Sequence, residues 1–126
     1  MLKYTKYNEW LLLDGDVATV GFTPYGQSLL GEVVFVELPT VGSSVDKDTA
    51  AVGSVETDKA VIEFYAPVGG EVVAVNDKLT AEPGLVNSDP TSEGWLFKLK
   101  VKDAGELGTL LDEAAYQAYV AEEGTE

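Results

Sequence analysis

Between residues 32 and 102 the chain is a succession of short, β-branched apolar runs, each cut off by Gly, Pro, Asn or Asp before it reaches helical length. Runs of that kind cannot bury their side chains alone and must stack into a sandwich or flattened barrel of many short strands. One of them recurs: Gly31-Glu32-Val33-Val34-Phe35-Val36 returns as Gly70-Glu71-Val72-Val73-Ala74-Val75. Two related halves packed face to face would produce this, and so would chance likeness between two Val-rich strands entered through Gly-Glu.

The flanks obey other rules. Glu9-Trp10-Leu11-Leu12-Leu13, Asp14-Gly15-Asp16 and Val17-Ala18-Thr19-Val20-Gly21-Phe22 predict strand, turn and strand, because Gly after Asp supplies the positive φ of a tight hairpin. Residues 23–31 predict a short helix, with Thr23 as cap, Pro24 in the first position and Gly31 as stop. Residues 106–121 carry Leu107, Leu110, Leu111, Ala114 and Ala118 at helical spacings with acids near the start. They predict a C-terminal helix docked on the β-structure and weakened near Gly108, with residues 122–126 frayed beyond it. The expected class is mainly β, a flattened barrel or sandwich of short strands with a short helix in the N-terminal half and another at the C-terminus. No Pro/Gly/Ser-rich linker divides the chain, so residues 1–126 are expected to form one domain.

Composition narrows the chemistry. With no histidine and no cysteine, the commonest metal ligand and general base is missing, and no disulfide, thiolate site or cysteine nucleophile can form. A catalyst built from these residues would rely on carboxylates, Lys, Tyr, Ser or a bound cofactor. The eight positive charges are all lysines and face 22 acids, for a net charge of −14, which repels nucleic acid. Two explanations fit the excess acid: solubility alone, or steering toward basic docking surfaces on partner enzymes. There is no signal-peptide pattern, and apolar runs such as residues 33–36 are far too short to span a bilayer. Against that charge, Trp10, Trp95 and the tyrosines are read as core or cleft residues and not as a base-stacking surface.

Midway between the two repeat copies lies a second hairpin. Ala50-Ala51-Val52-Gly53-Ser54-Val55 and Val61-Ile62-Glu63-Phe64 read as strands, and Glu56-Thr57-Asp58-Lys59 as the polar turn joining them, with Lys59 at the tip. An exposed lysine in a turn needs no functional explanation by itself. Its context supplies one. Glu56-Thr57-Asp58-Lys59-Ala60, followed by Tyr65-Ala66-Pro67 and the Gly70-Glu71-Val72-Val73 strand, resembles the attachment hairpin of the biotinyl/lipoyl-domain superfamily. Asn8-Glu9-Trp10, Ala18-Thr19-Val20-Gly21-Phe22-Thr23, Tyr25-Gly26-Gln27, the stretch from Leu30 to Pro39, Leu85-Val86-Asn87-Ser88-Asp89-Pro90 and Glu93-Gly94-Trp95-Leu96 resemble, in order, the segments of the glycine cleavage system H-protein family. There are differences: that family often has His where Asn8 stands and Ala where Gly26 stands, and Val where Asp58 precedes the lysine.

The resemblance implies a lipoyl-binding carrier with lipoate attached covalently to Lys59, catalysing nothing alone. It implies a shuttle that accepts an aminomethyl group from a pyridoxal-phosphate glycine decarboxylase, passes it to a tetrahydrofolate-dependent aminomethyltransferase and is reoxidised by dihydrolipoamide dehydrogenase. Lipoate would be installed by a lipoate ligase, or through lipoyl synthase, with Glu56 and Asp58 recognised by the lipoylating enzyme. Glu9 and Glu63 match acids lining a cleft for the loaded arm, where a carboxylate would stabilise a protonated nitrogen; ordinary solvated acids are the alternative for both. A monomer in the cytoplasm is expected, with Met1 leading, or in the mitochondrial matrix if a transit peptide has been removed. Two rivals share some of these features: an H-like lipoyl relay serving 2-oxoacid dehydrogenase complexes, and a carboxylate hydrolase, for which no catalytic pair of acids is recognisable.

Overall fold

A computed structural model describes residues 2–47 and 51–124, with side chains to residue 122. Its strands are β1 (Leu2–Tyr4), β2 (Glu9–Asp14), β3 (Val17–Phe22), β4 (Val33–Glu37), β5 (Ser44–Val45), β6 (Ala51–Thr57), β7 (Val61–Tyr65), β8 (Gly70–Val75) and β9 (Phe97–Val101). Helices are α1 (Pro24–Leu30), α2 (Lys78–Ala81), α3 (Leu85–Ser88) and α4 (Glu113–Gly124), with a 3-10 segment at Ala104–Thr109.

The strands form a six-stranded sheet, β1-β2-β3-β9-β8-β5, and a three-stranded sheet, β4-β6-β7, antiparallel within each. The expected mainly β class with a short early helix and a C-terminal helix is what forms. Among the described residues the two sheets do not close on one another, so the flattened barrel or sandwich of the expectation takes its open, sandwich form. The repeat copies fall in different sheets, β4 and β8, whose Val33, Val36 and Val72 enter one common core.

Local chemistry explains the elements that sequence predicts well. The β2–β3 hairpin turns at Gly15, which takes φ 66°. In α1 the Thr23 hydroxyl accepts the Gly26 N–H at 3.0 Å, Pro24 occupies the first turn, and Gly31 ends the helix at φ 84°.

The C-terminal region is corrected. The predicted helix over residues 106–121 is a 3-10 turn followed by a break and then α4. The break has a cause: Leu111 exchanges both backbone hydrogen bonds with Tyr4 (2.8 and 2.9 Å), so its peptide groups serve β1 and cannot join a helix ladder. Asp112 then caps α4, accepting the Ala115 N–H at 2.8 Å. The docked face is Tyr116, stacked on Tyr4 at 4.7 Å, while Ala114 and Ala118 are exposed. The helix runs on to Gly124 through residues expected to fray; Thr125 and Glu126, like Ala50 of the predicted strand, lie outside the described residues. Strand β1 and the short helices α2 and α3 were not anticipated. In the α2–α3 region Asn76 holds the chain together, its Nδ2 donating to the carbonyls of Glu93 (2.6 Å) and Trp95 (2.8 Å).

Phe64 joins the layers. On β7 of the small sheet, it meets Phe22 edge-on at 6.0 Å and Phe97 in a stacked pair at 5.9 Å, both from the large sheet. Truncation to Ala would open a void between sheets that cannot collapse without moving a strand. Phe64→Ala is expected to cost roughly 3–5 kcal/mol in denaturant unfolding; a loss below ~1 kcal/mol would show that the two sheets are held together elsewhere.

Candidate functional site

The hairpin of β6 and β7 ends in a tighter turn than sequence suggests. Glu56 and Thr57 still belong to β6, and the turn itself is Asp58-Lys59-Ala60. Thr57 makes it. Its backbone N–H donates to the Ala60 carbonyl at 2.8 Å, and its hydroxyl accepts the N–H groups of Lys59 and Ala60, each at 3.1 Å. The hydroxyl proton goes back to the Ala60 carbonyl at 3.2 Å. Because Thr57 is buried, these bonds are sheltered from competing water while Asp58, Lys59 and Ala60 stand exposed.

The turn rests on a pedestal. The Asp58 N–H donates to the Glu32 carbonyl at 3.2 Å, and Asn87 from α3 grips both sides of that residue, donating to the Gly31 carbonyl and accepting the Val33 N–H, each at 2.8 Å. Gly31 fits because it has no side chain. A Cβ there would sit 3.0 Å from Asp58 Oδ1 and 3.8 Å from Lys59 Cδ, at a φ that L side chains avoid.

A cleft of about 250 Å³ opens beside this pedestal. Its apolar walls include Phe22 and Leu30 on one side and Ile62 and Phe64 on the other, and both Glu9 and Glu63 line it. The two acids differ. Glu63 is exposed. Glu9 is wholly buried: its Oε2 accepts the Tyr65 N–H at 3.2 Å, and its Oε1 receives the Thr5 hydroxyl at 3.4 Å. Glu9 is therefore no ordinary solvated acid. It ties β2 of the large sheet to β7 of the small one.

At the mouth of the cleft, Asn8 adopts φ 64°, the left-handed region. Its carbonyl accepts the Thr23 N–H at 2.9 Å and its Oδ1 the Tyr116 hydroxyl at 3.0 Å. Thr23 and Tyr116 hydroxyls are 2.6 Å apart; since the Tyr116 proton serves Asn8, Thr23 donates in that pair. Burial pushes the Tyr116 phenol above its ordinary pKa, against the Thr23 hydrogen bond, which lowers it. A larger cavity of about 510 Å³ lies between β1, β2 and α4, but it is lined by Leu2, Tyr4, Trp10 and similar groups without a charged side chain.

Of the residues singled out in the sequence, Lys59 and Asp58 lie in the turn, Glu9 and Glu63 line one cleft, and Glu56 is exposed on β6. Sequence reasoning missed Thr57, Asn87 and Asn8. A threonine two residues before a lysine in a polar turn is a recognisable hydroxyl-turn signal; nothing local marks Asn87, whose partners are more than 50 positions away.

Comparison with known proteins agrees with this arrangement. The family model described as "Glycine cleavage H-protein" matches residues 2–123. Glycine cleavage system H proteins of Bradyrhizobium diazoefficiens and Thermotoga maritima are 56% and 52% identical over 118 and 123 residues. These matches cover 94% of this chain and 96% of the first relative, and 98% of each chain for the second. A crystal structure of a glycine cleavage system H protein from Mycobacterium marinum superposes with a TM-score of 0.83 at 32% identity, covering 98% of this chain and 96% of that one. The chain belongs to the glycine cleavage H-protein family, whose members are carrier components of the glycine cleavage system and not catalysts themselves.

Among the described residues no group of three or more acids could hold a metal ion, and no helix is long and apolar enough to cross a membrane. Thr57→Val would leave the Lys59 and Ala60 amides without their acceptor. It is expected to cost about 1–3 kcal/mol and to speed amide exchange at those two positions; exchange unchanged from wild type would show that the turn is held by its backbone alone.

Proposed function

We propose that this protein, acting as one domain over residues 1–126, carries lipoate covalently on Lys59 and shuttles an aminomethyl group from a pyridoxal-phosphate glycine decarboxylase to a tetrahydrofolate-dependent aminomethyltransferase. A dihydrolipoamide dehydrogenase completes the cycle, and the expected setting is the cytoplasm. One observation carries the reading: an exposed amine on a turn whose amides are locked by a buried hydroxyl, next to a cleft with apolar walls. When bound, lipoate supplies a redox-active dithiolane on a long reach; the chain supplies the rest.

The residues present fit that group. A modifying enzyme needs one accessible amine in a fixed frame, and the Thr57 turn on the Asn87 pedestal provides it. Glu56 and Asp58 flank the amine and are assigned to recognition by the lipoylating enzyme, a ligase or the lipoyl synthase route. The apolar walls suit an alkyl arm and exclude water from what it carries. Glu63, exposed on the cleft wall, offers a carboxylate to a protonated nitrogen through a charge-assisted hydrogen bond. Glu9, with both oxygens already engaged, works as a positioning residue that fixes the opposite wall.

Incubation with lipoate, ATP and a lipoate ligase, followed by peptide mapping, is expected to give one lipoyl mass increment at Lys59 and none in Lys59→Ala. Label spread over several lysines would overturn the assignment. In isolated protein carrying its aminomethyl cargo, Glu63→Gln is expected to shorten the lifetime of the cargo roughly tenfold, the loss of about 1.5 kcal/mol of charge-assisted hydrogen bonding. An unchanged lifetime would return Glu63 to the class of solvated surface acids.

A further inference from the structure

The three-stranded sheet has an outer face that the fold leaves uncovered. Its inward rows carry Val36, Val55 and Ile62. Its outward row at the tip pairs Phe35 with Glu56 and Glu56 with Val61, and beyond it Glu37 pairs with Ser54. The register shift between Val33 and Phe35 makes Val34 a bulge, so two consecutive apolar side chains point outward. Val34, Phe35 and Val61 are 48%, 53% and 61% exposed. They surround Glu56 within two residues of the Lys59 turn.

We propose that this face is the docking surface of the enzyme that acylates Lys59, and that this enzyme meets it with an apolar depression rimmed by basic side chains. The inference rests on the lipoyl reading of Lys59 and names the partner surface for that site. Three observations argue for that occupant. The apolar cluster is continuous with the turn that presents the amine. Its charged members Glu37 and Glu56 are both acidic, and the chain carries a net charge of −14 with no arginine, so the complementary surface is cationic. Selection among eight lysines also needs a landmark that the others lack. Lys3, Lys98 and Lys100 project from the large sheet, while Lys78 and Lys102 are paired with Glu93 and Asp46. Lys6 precedes β2 of the large sheet, and Lys47 bridges Ala66 at the end of β7 far from the tip, which leaves Lys59 as the one lysine within β4, β6, β7 and their tip. An apolar anchor inside an acidic frame gives short-range affinity and long-range orientation together.

The test is steady-state lipoylation by a lipoate ligase with lipoate and ATP, varying the carrier. Phe35→Ser/Val61→Ser is expected to raise the KM for the carrier at least tenfold with kcat within twofold of wild type, and Glu37→Gln to lower kcat/KM and flatten its dependence on salt. Leu12→Ser, on an exposed apolar residue of the large sheet, serves as control and is expected to leave KM unchanged. An unchanged KM in the double variant, a fall confined to kcat, or an equal rise in the Leu12 control overturns the surface while Lys59 modification stands. Wild-type protein that self-associates, and is released by Phe35→Ser, overturns it in favour of a second copy of the chain. Wild-type protein that takes up no lipoate overturns the reading of Lys59 and this surface with it.

Discussion

A carboxyl group with no exposed surface holds the two sheets in register. Burying a polar group costs several kcal/mol unless its atoms find partners, and Glu9 finds them across the sandwich: the Tyr65 amide on the edge of the small sheet and the Thr5 hydroxyl beside its own strand. Phe64 supplies area between the layers, but apolar contact is indifferent to small slides. The hydrogen bond from Tyr65 is not, because it names one amide on one edge strand. Glu9 thus sets where β7 lies against β2, and so the width of the cleft that both strands line.

The lysine turn inherits that position. β7 leads back to Ala60, Thr57 locks the turn, and Asp58 leans on Glu32, whose neighbours are gripped by Asn87. Each of these bonds is worth about 0.5–1.5 kcal/mol net, modest one by one. Their value is geometric, since the amides of Asp58, Lys59 and Ala60 are all held while the Lys59 side chain stays exposed. A carrier needs that division: a fixed base, so that partner enzymes meet the same surface each time, and a free arm.

How much of this was legible in the sequence depended on the range of the interaction. The β2–β3 hairpin, the Thr23-Pro24 start and Gly31 stop of α1, and the hairpin carrying Lys59 are set by chemistry within a few residues, and all three were readable. The C-terminal helix failed where range failed: Leu107, Leu110 and Leu111 have helical spacing, yet Leu111 is drawn into a bridge with Tyr4 more than 100 positions earlier. Sequence leaves flattened barrel and sandwich as joint expectations because strand patterning fixes which side chains face inward but not whether sheet edges meet. Glu9 was read as a cleft acid from resemblance alone; its burial and its bond to Tyr65 follow from packing that no local pattern encodes.

Two differences from the family's usual pattern look independent in the sequence and are one feature in space. At Gly26 a Cβ would lie 2.7 Å from the Asn8 carbonyl oxygen and 2.8 Å from the Asn8 Cβ, closer than side-chain carbons approach. Asn8 itself holds φ 64°, a conformation asparagine tolerates better than most residues. The small residue at 26 therefore lets the backbone at 8 come close, and the amide at 8 accepts the Tyr116 hydroxyl and so ties α4 to the mouth of the cleft. Read singly, each is an isolated exchange for a smaller side chain. Read together, they exchange bulk at one position for a hydrogen-bonded contact at the other, beside the residue on which the sheet-to-sheet register depends.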